Sequence, residues 1–138
     1  MEEKFIRRFE SFQKSLDSFA GVRNRDITDD FVLSGTVQKF TITFDIAWKV
    51  MKDILIQLYG VSDFATGSPR ETLKKSMACN IISEDTWIDM MSDRNLLSHD
   101  YDGTIVKEKI TIIIGQYLPL LERFADKAKE LIDNSANS

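Results

Sequence analysis

The stretch Arg94–Asn95–Leu96–Leu97–Ser98–His99–Asp100–Tyr101 gathers the side chains best suited to chemistry. Each residue of an α-helix turns by about 100°. Arg94, Ser98 and Tyr101 then fall on nearly one line, with Asn95 and His99 on the line beside it. Arginine steadies negative charge on a phosphate. Histidine gives or takes a proton near neutral pH. A tyrosine hydroxyl can hydrogen-bond, stack or carry a modification. His99 is the single histidine of the chain, so histidine acid–base chemistry would rest on it, and a two-histidine mechanism would need two chains. A plainer reading stands beside this one. Arg94, Asn95 and Ser98 could cap a helix end and tie down a loop, with His99 structural. Spacing alone leaves both open.

Other residues carry weaker signals. Lys49, Lys52, Arg70, Lys74 and Lys75 could form a basic edge for RNA or a partner, although a solvated face suits them better. Asp26, Asp29 and Asp30 lack the spacing of a metal site, and turn or N-cap duty fits them. Trp48 could stack a base, but a core or interface role suits its place better. Cys79 reads as a packed side chain. No glycine-rich phosphate loop is present, so nucleotide binding in a P-loop or Rossmann manner is not expected; no cofactor and no metal is expected either. Transferase chemistry would have to lie in another polypeptide.

The elements that position these residues read as helices. Phe5, Phe9, Phe12, Leu16 and Phe19 step by four and three over about residues 3–19, with Gly21 as the stop. Leu33, Val37, Phe40, Phe44, Ala47, Met51, Ile54 and Leu58 mark a long helix over about 29–59, ended by Gly60. Phe40, Ile42, Phe44 and Ile46 alternate as a strand would, but the helical repeat spans far more residues. Its apolar surface is wide, which suits a central or interface helix. Ser68, Pro69 and Glu71 form a capping box for a short helix to about Cys79, with Leu73 and Met77 inward. Ser83 is the expected N-cap of the next helix, whose core residues are Trp87 and Met91. It should fray near His99, because Asp100, Asp102 and Gly103 favour turns. The last helix runs from about Thr104 to Ile132, with a kink or break expected at Pro119 and a disordered tail from about 133. The expectation is an all-α single domain over residues 1–138: about five helices, in a bundle of the four-helix up-and-down type, and dimeric.

Bulk composition narrows the function classes. The 138 residues are 43% hydrophobic and 29% charged, as in ordinary globular domains. No apolar run approaches the roughly 20 residues that cross a bilayer, and the charged start lacks a secretion-signal core. One cysteine excludes an internal disulfide, and a cytoplasmic location is expected. The net charge of −4 argues against a general nucleic-acid-binding surface. Any RNA contact must be local.

RNLLSHDY resembles the Arg–Asn–x–x–x–His–x–Tyr signature of HEPN domains that accompany minimal nucleotidyltransferases. VQKFTITFDIAWKVMKDIL, residues 37–55, is similar to the long second helix of the nucleotidyltransferase substrate-binding family, with Gln38, Phe40, Ala47, Trp48 and Lys49 at its landmarks. SPRETLKKS and the single Trp before the Arg motif also agree, so the resemblance covers nearly the whole chain in order. It implies a helical homodimer in which the Arg94–His99 segments of two copies share a cleft. Many such proteins are metal-independent RNases. On that implication Arg94 contacts phosphate or the transition state, His99 is the acid–base residue, and Asn95 orients the site. RNA would be cut by attack of its own 2′-hydroxyl. The partner nucleotidyltransferase would act as antitoxin in a toxin–antitoxin pair by transferring AMP to Tyr101. The rival reading is a non-catalytic subunit that presents substrate to the transferase.

Overall fold

The computed structural model describes residues 2–61 and 67–136. Helix α1 (Glu3–Ala20) buries Phe5, Phe9, Phe12, Leu16 and Phe19, the five residues whose spacing marked its inner face. A 3-10 turn (Gly21–Asn24) carries the chain past the expected stop. Asp29 then caps α2 (Asp30–Gln57), its carboxylate accepting from the N–H groups of Phe31 and Val32 at 2.8 and 3.2 Å. Along α2, Phe40, Phe44, Ala47, Met51 and Ile54 are buried, whereas Ile42 is exposed and Ile46 half-buried. Alternation would have put all four of Phe40, Ile42, Phe44 and Ile46 on one side, so the helical period wins. Gly60 supplies the left-handed turn beyond the helix, at φ 67°, and the Val61 N–H closes back on the Leu55 carbonyl.

Ser68 starts α3 (Pro69–Ala78). Its hydroxyl oxygen accepts from the Glu71 N–H at 3.2 Å and the hydroxyl donates to the Glu71 carboxylate at 3.0 Å. The box is therefore closed side chain to side chain rather than back to the Ser68 backbone. Most of the preceding loop, residues 62–66, lies outside the described residues. Helix α4 (Thr86–Leu97) begins later than the sequence suggested. Ser83 is not its cap: the Ser83 hydroxyl donates to Glu84, and the N-cap is Asp85, whose backbone is already helical and whose side chain caps nothing.

The last helix is interrupted, but not broken, before Pro119. Helix α5 (Thr104–Ile112) passes through a π turn (Ile113–Tyr117) into α6 (Leu118–Ala136). The Leu118 N–H donates to the Ile113 carbonyl, five residues back. The wider turn accommodates a proline that brings no N–H and crowds the preceding turn. Helix α6 extends past the expected end at Ile132, helped by the Lys129–Asp133 ion pair one turn apart.

Counting α5, the π turn and α6 as one rod, five helical rods make an all-α bundle with no strand among the described residues. Aromatic rings tie the rods together. Phe12 of α1 and Trp87 of α4 both meet Phe124 of α6, at 5.5 and 5.9 Å between centroids, and Phe44 of α2 meets Trp87 at 6.4 Å. Among the described residues no helix is long and apolar enough to cross a membrane.

Candidate functional site

Trp87, Met91 and Arg94 share one side of α4, spaced by four and three. The first two are buried against α2, so Arg94 leaves the core edge pointing toward the same helix. There it meets Asp45. Arg94 Nε donates to Asp45 Oδ1 at 2.9 Å and Nη2 to Oδ2 at 2.6 Å, a two-pronged pair that fixes the guanidinium plane. The Asp45 bonds hold Arg94 more firmly charged than a free arginine, against an opposing effect of partial burial. A guanidinium has five N–H donors, and Asp45 engages two of them.

Arg94 also lines a cleft of about 490 Å³ between α2, α4 and the start of α3. Its lining includes Asp45, Trp48 and Lys49 from α2, Arg70 from α3, and Arg94 and Asn95 from α4. Three cations face one carboxylate there, in a chain whose net charge is −4. Two of the basic-edge residues, Lys49 and Arg70, thus belong to the Arg94 cleft. Lys52 lies 5.8 Å from the Trp48 ring centroid and also donates to the Gly67 carbonyl at 3.3 Å, tying α2 to the segment that starts α3. Asp45, Trp48, Lys49 and Lys52 recur at helical spacing, one stripe beside the buried line of α2. That stripe was the sequence signal for Asp45, which sequence reasoning passed over.

Beyond Leu97 the chain leaves α4 through a tight turn. The Ser98 hydroxyl donates to the Asn95 carbonyl at 2.6 Å. Asp100 turns inward and accepts from the Ile105 and Val106 N–H groups at 2.9 and 2.8 Å. Asp102 accepts from the Thr104 N–H at 3.0 Å, and its hydrogen bonds from Thr104, side chain before backbone, hold its carboxyl below the usual range. Gly103 takes φ 77°, a value other residues adopt at a cost. Together the two aspartates satisfy N–H groups that α5 would otherwise leave open. With Asp100 drawn in, its neighbours His99 and Tyr101 face solvent, and Tyr101 is 92% exposed.

The sequence-predicted residues therefore divide. Arg94 and Asn95 share the basic cleft. Tyr101 lines a separate groove with Asp30, Asp102 and Lys107. His99 lines neither. Behind the site, a buried polar group on α4 locks the register of the helix. The Tyr117 hydroxyl, delivered by the π turn, donates to Asp93, and Lys109 reaches the other Asp93 oxygen at 3.2 Å. Burial first, and then the Asp93 hydrogen bond and charge, push the Tyr117 hydroxyl far above its ordinary value.

The chain matches the family described as nucleotidyltransferase substrate binding protein like over residues 7–130, and it belongs to that family. The family's description implies association with a nucleotidyltransferase. No curated protein matches the chain.

Proposed function

We propose that this chain is a HEPN-type, metal-independent endoribonuclease toxin, neutralised by a cognate minimal nucleotidyltransferase that transfers AMP to Tyr101. One observation carries the reading: Arg94 and Asn95 line a basic cleft at the same helix end that sets His99 and Tyr101 in solvent. A homodimer pairing those helix ends supplies two His99 side chains to one phosphodiester. One takes the proton of the RNA 2′-hydroxyl as its oxygen attacks phosphorus. The other gives a proton to the departing 5′-oxygen. Arg94 holds the phosphate, whose negative charge grows in the transition state. The products are a 2′,3′-cyclic phosphate and a 5′-hydroxyl. Exposed Leu96 and Ile42, on α4 and α2, give the pairing apolar surface.

Neutralisation follows from the exposure of Tyr101. Its phenol oxygen attacks the α-phosphorus of ATP in the transferase, pyrophosphate leaves, and the phenol proton passes to a base. The added phosphate charge and bulk then oppose RNA at the cleft. Growth tests the proposal: the chain expressed alone arrests cells, co-expression of the transferase restores them, and His99→Ala is harmless from the start. Arrest by His99→Ala equal to wild type rejects it.

A second reading, the non-catalytic substrate-binding subunit, is favoured by one feature. Arg94 is already paired with Asp45, and His99 lines neither groove within one chain. On that reading the protein binds the transferase and leaves RNA intact with or without His99.

A further inference from the structure

The Arg94 cleft has a wall that phosphate recognition does not use. Trp48 is half-buried on α2 and lines the cleft together with Lys49, Arg70 and Arg94. The other tryptophan, Trp87, is 1% exposed and belongs to the core. An indole at the edge of a basic cleft, with cations at one end, matches what one nucleotide requires: a flat apolar platform beside phosphate donors. The volume, about 490 Å³, lies within the range of small-ligand sites. The indole keeps polar company, since the Lys49 and Lys52 ammonium groups lie 5.9 and 5.8 Å from its ring centroid. Lys49 is solvent-exposed, so a base can replace it at the ring while the ammonium turns to the phosphate.

We propose that the Arg94 cleft is a nucleotide subsite, with the phosphate on Arg94, Arg70 and Lys49 and the base stacked on Trp48. The assignment rests on the RNase reading for its biological substrate, a nucleotide within single-stranded RNA. The chemistry it names, base plus phosphate, is shared by free nucleotides. Stacking is tolerant of base identity, so the subsite adds affinity for unpaired RNA and discriminates against duplex, whose bases are not free to stack on a side chain.

The experiment titrates full-length wild type with AMP, ribose 5-phosphate and a short single-stranded oligoadenylate, and repeats the series with Trp48→Leu, Trp48→Phe and Arg70→Gln by calorimetry. Wild type is expected to bind AMP on the order of tenfold more tightly than ribose 5-phosphate. Trp48→Leu removes most of that preference, Trp48→Phe keeps it, and Arg70→Gln weakens both ligands alike. Tighter binding of the oligoadenylate than of AMP assigns the subsite to RNA, and the reverse assigns it to free nucleotide. Equal affinity of wild type for AMP and ribose 5-phosphate overturns the proposal. So does a preference that survives Trp48→Leu. RNA cleavage is not read in these titrations, and His99→Ala is expected to bind as wild type. Loss of the RNase reading and loss of the subsite are therefore separate results.

Discussion

Arg94 and Asp45, 49 residues apart in sequence, meet through two hydrogen bonds of 2.9 and 2.6 Å, which join α4 to α2 in the lining of the basic cleft. Without Asp45 the Arg94 side chain can rotate freely across the cleft. With it, the guanidinium is held in one plane while part of its donor set stays available to an anion. The pair is about one-quarter to one-third exposed, so its own contribution to stability is modest, about 1 kcal/mol or less.

Asp45→Ala is therefore expected to separate activity from stability. RNA cleavage should fall by about tenfold to a hundredfold, because a misplaced catalytic contact costs that much. The melting temperature should drop only slightly. Denaturant unfolding beside a cleavage assay reads both. Cleavage at the wild-type rate would remove Asp45 from any role in placing Arg94.

Asp100→Ala should act in the opposite sense, on stability first. The carboxylate accepts two N–H groups at the start of α5 and holds the turn that carries His99 and Tyr101. Losing such a cap costs about 1 to 2 kcal/mol. Urea unfolding should show that loss, with hydrogen exchange at residues 98–106 faster than wild type. Asp100→Asn, which keeps an acceptor oxygen, should lose less.

Tyr117 gives a pH dependence with a definite sign. Its hydroxyl is raised above the ordinary tyrosine value by burial and by Asp93. The unfolded chain therefore ionises first as pH rises. The stabilisation is complete below about 10, the unfolded tyrosine value, and is lost progressively at higher pH. Tyr117→Phe should be less stable at neutral pH by about 1 to 3 kcal/mol, because it leaves a buried carboxylate short of a partner. Its stability should also decline less steeply on the alkaline side. Denaturant midpoints across neutral and alkaline pH test both parts.

Tyr101, 92% exposed, should accept AMP without unfolding. Incubation with the partner nucleotidyltransferase and ATP should raise the intact mass by one or more AMP units, and Tyr101→Phe should abolish the gain. A stable complex without any gain would move the account to the substrate-binding subunit.

Much of this architecture was legible in the sequence because each helix carries its own period. The α1 phenylalanines and the Phe40–Phe44–Ala47–Met51–Ile54 line of α2 are local patterns, and both came out buried as spaced. Pro119 marked the right region, but a proline states only that an N–H is missing. Whether the helix breaks or widens depends on what α4 offers the preceding turn, here Asp93 for Tyr117. Ser83 looked like a cap because of its type and the acids after it, yet the backbone turned helical only at Asp85. At the site, Arg94 and Asn95 were readable as a motif. Asp45 showed only as a member of the Trp48–Lys49–Lys52 stripe, since its role is set by Arg94, 49 residues away. The inward turn of Asp100 escaped for a related reason: a turn-forming aspartate does not reveal which N–H groups it will meet.

The most direct test of the central claim is cleavage of single-stranded RNA by purified protein with metal ions chelated, comparing wild type with His99→Ala and reading the chemistry of the new ends. The expected result is cleavage by wild type that leaves 2′,3′-cyclic phosphate and 5′-hydroxyl ends, and a loss of about a hundredfold or more in His99→Ala. Intact RNA with both proteins, or equal cleavage by both, would contradict it.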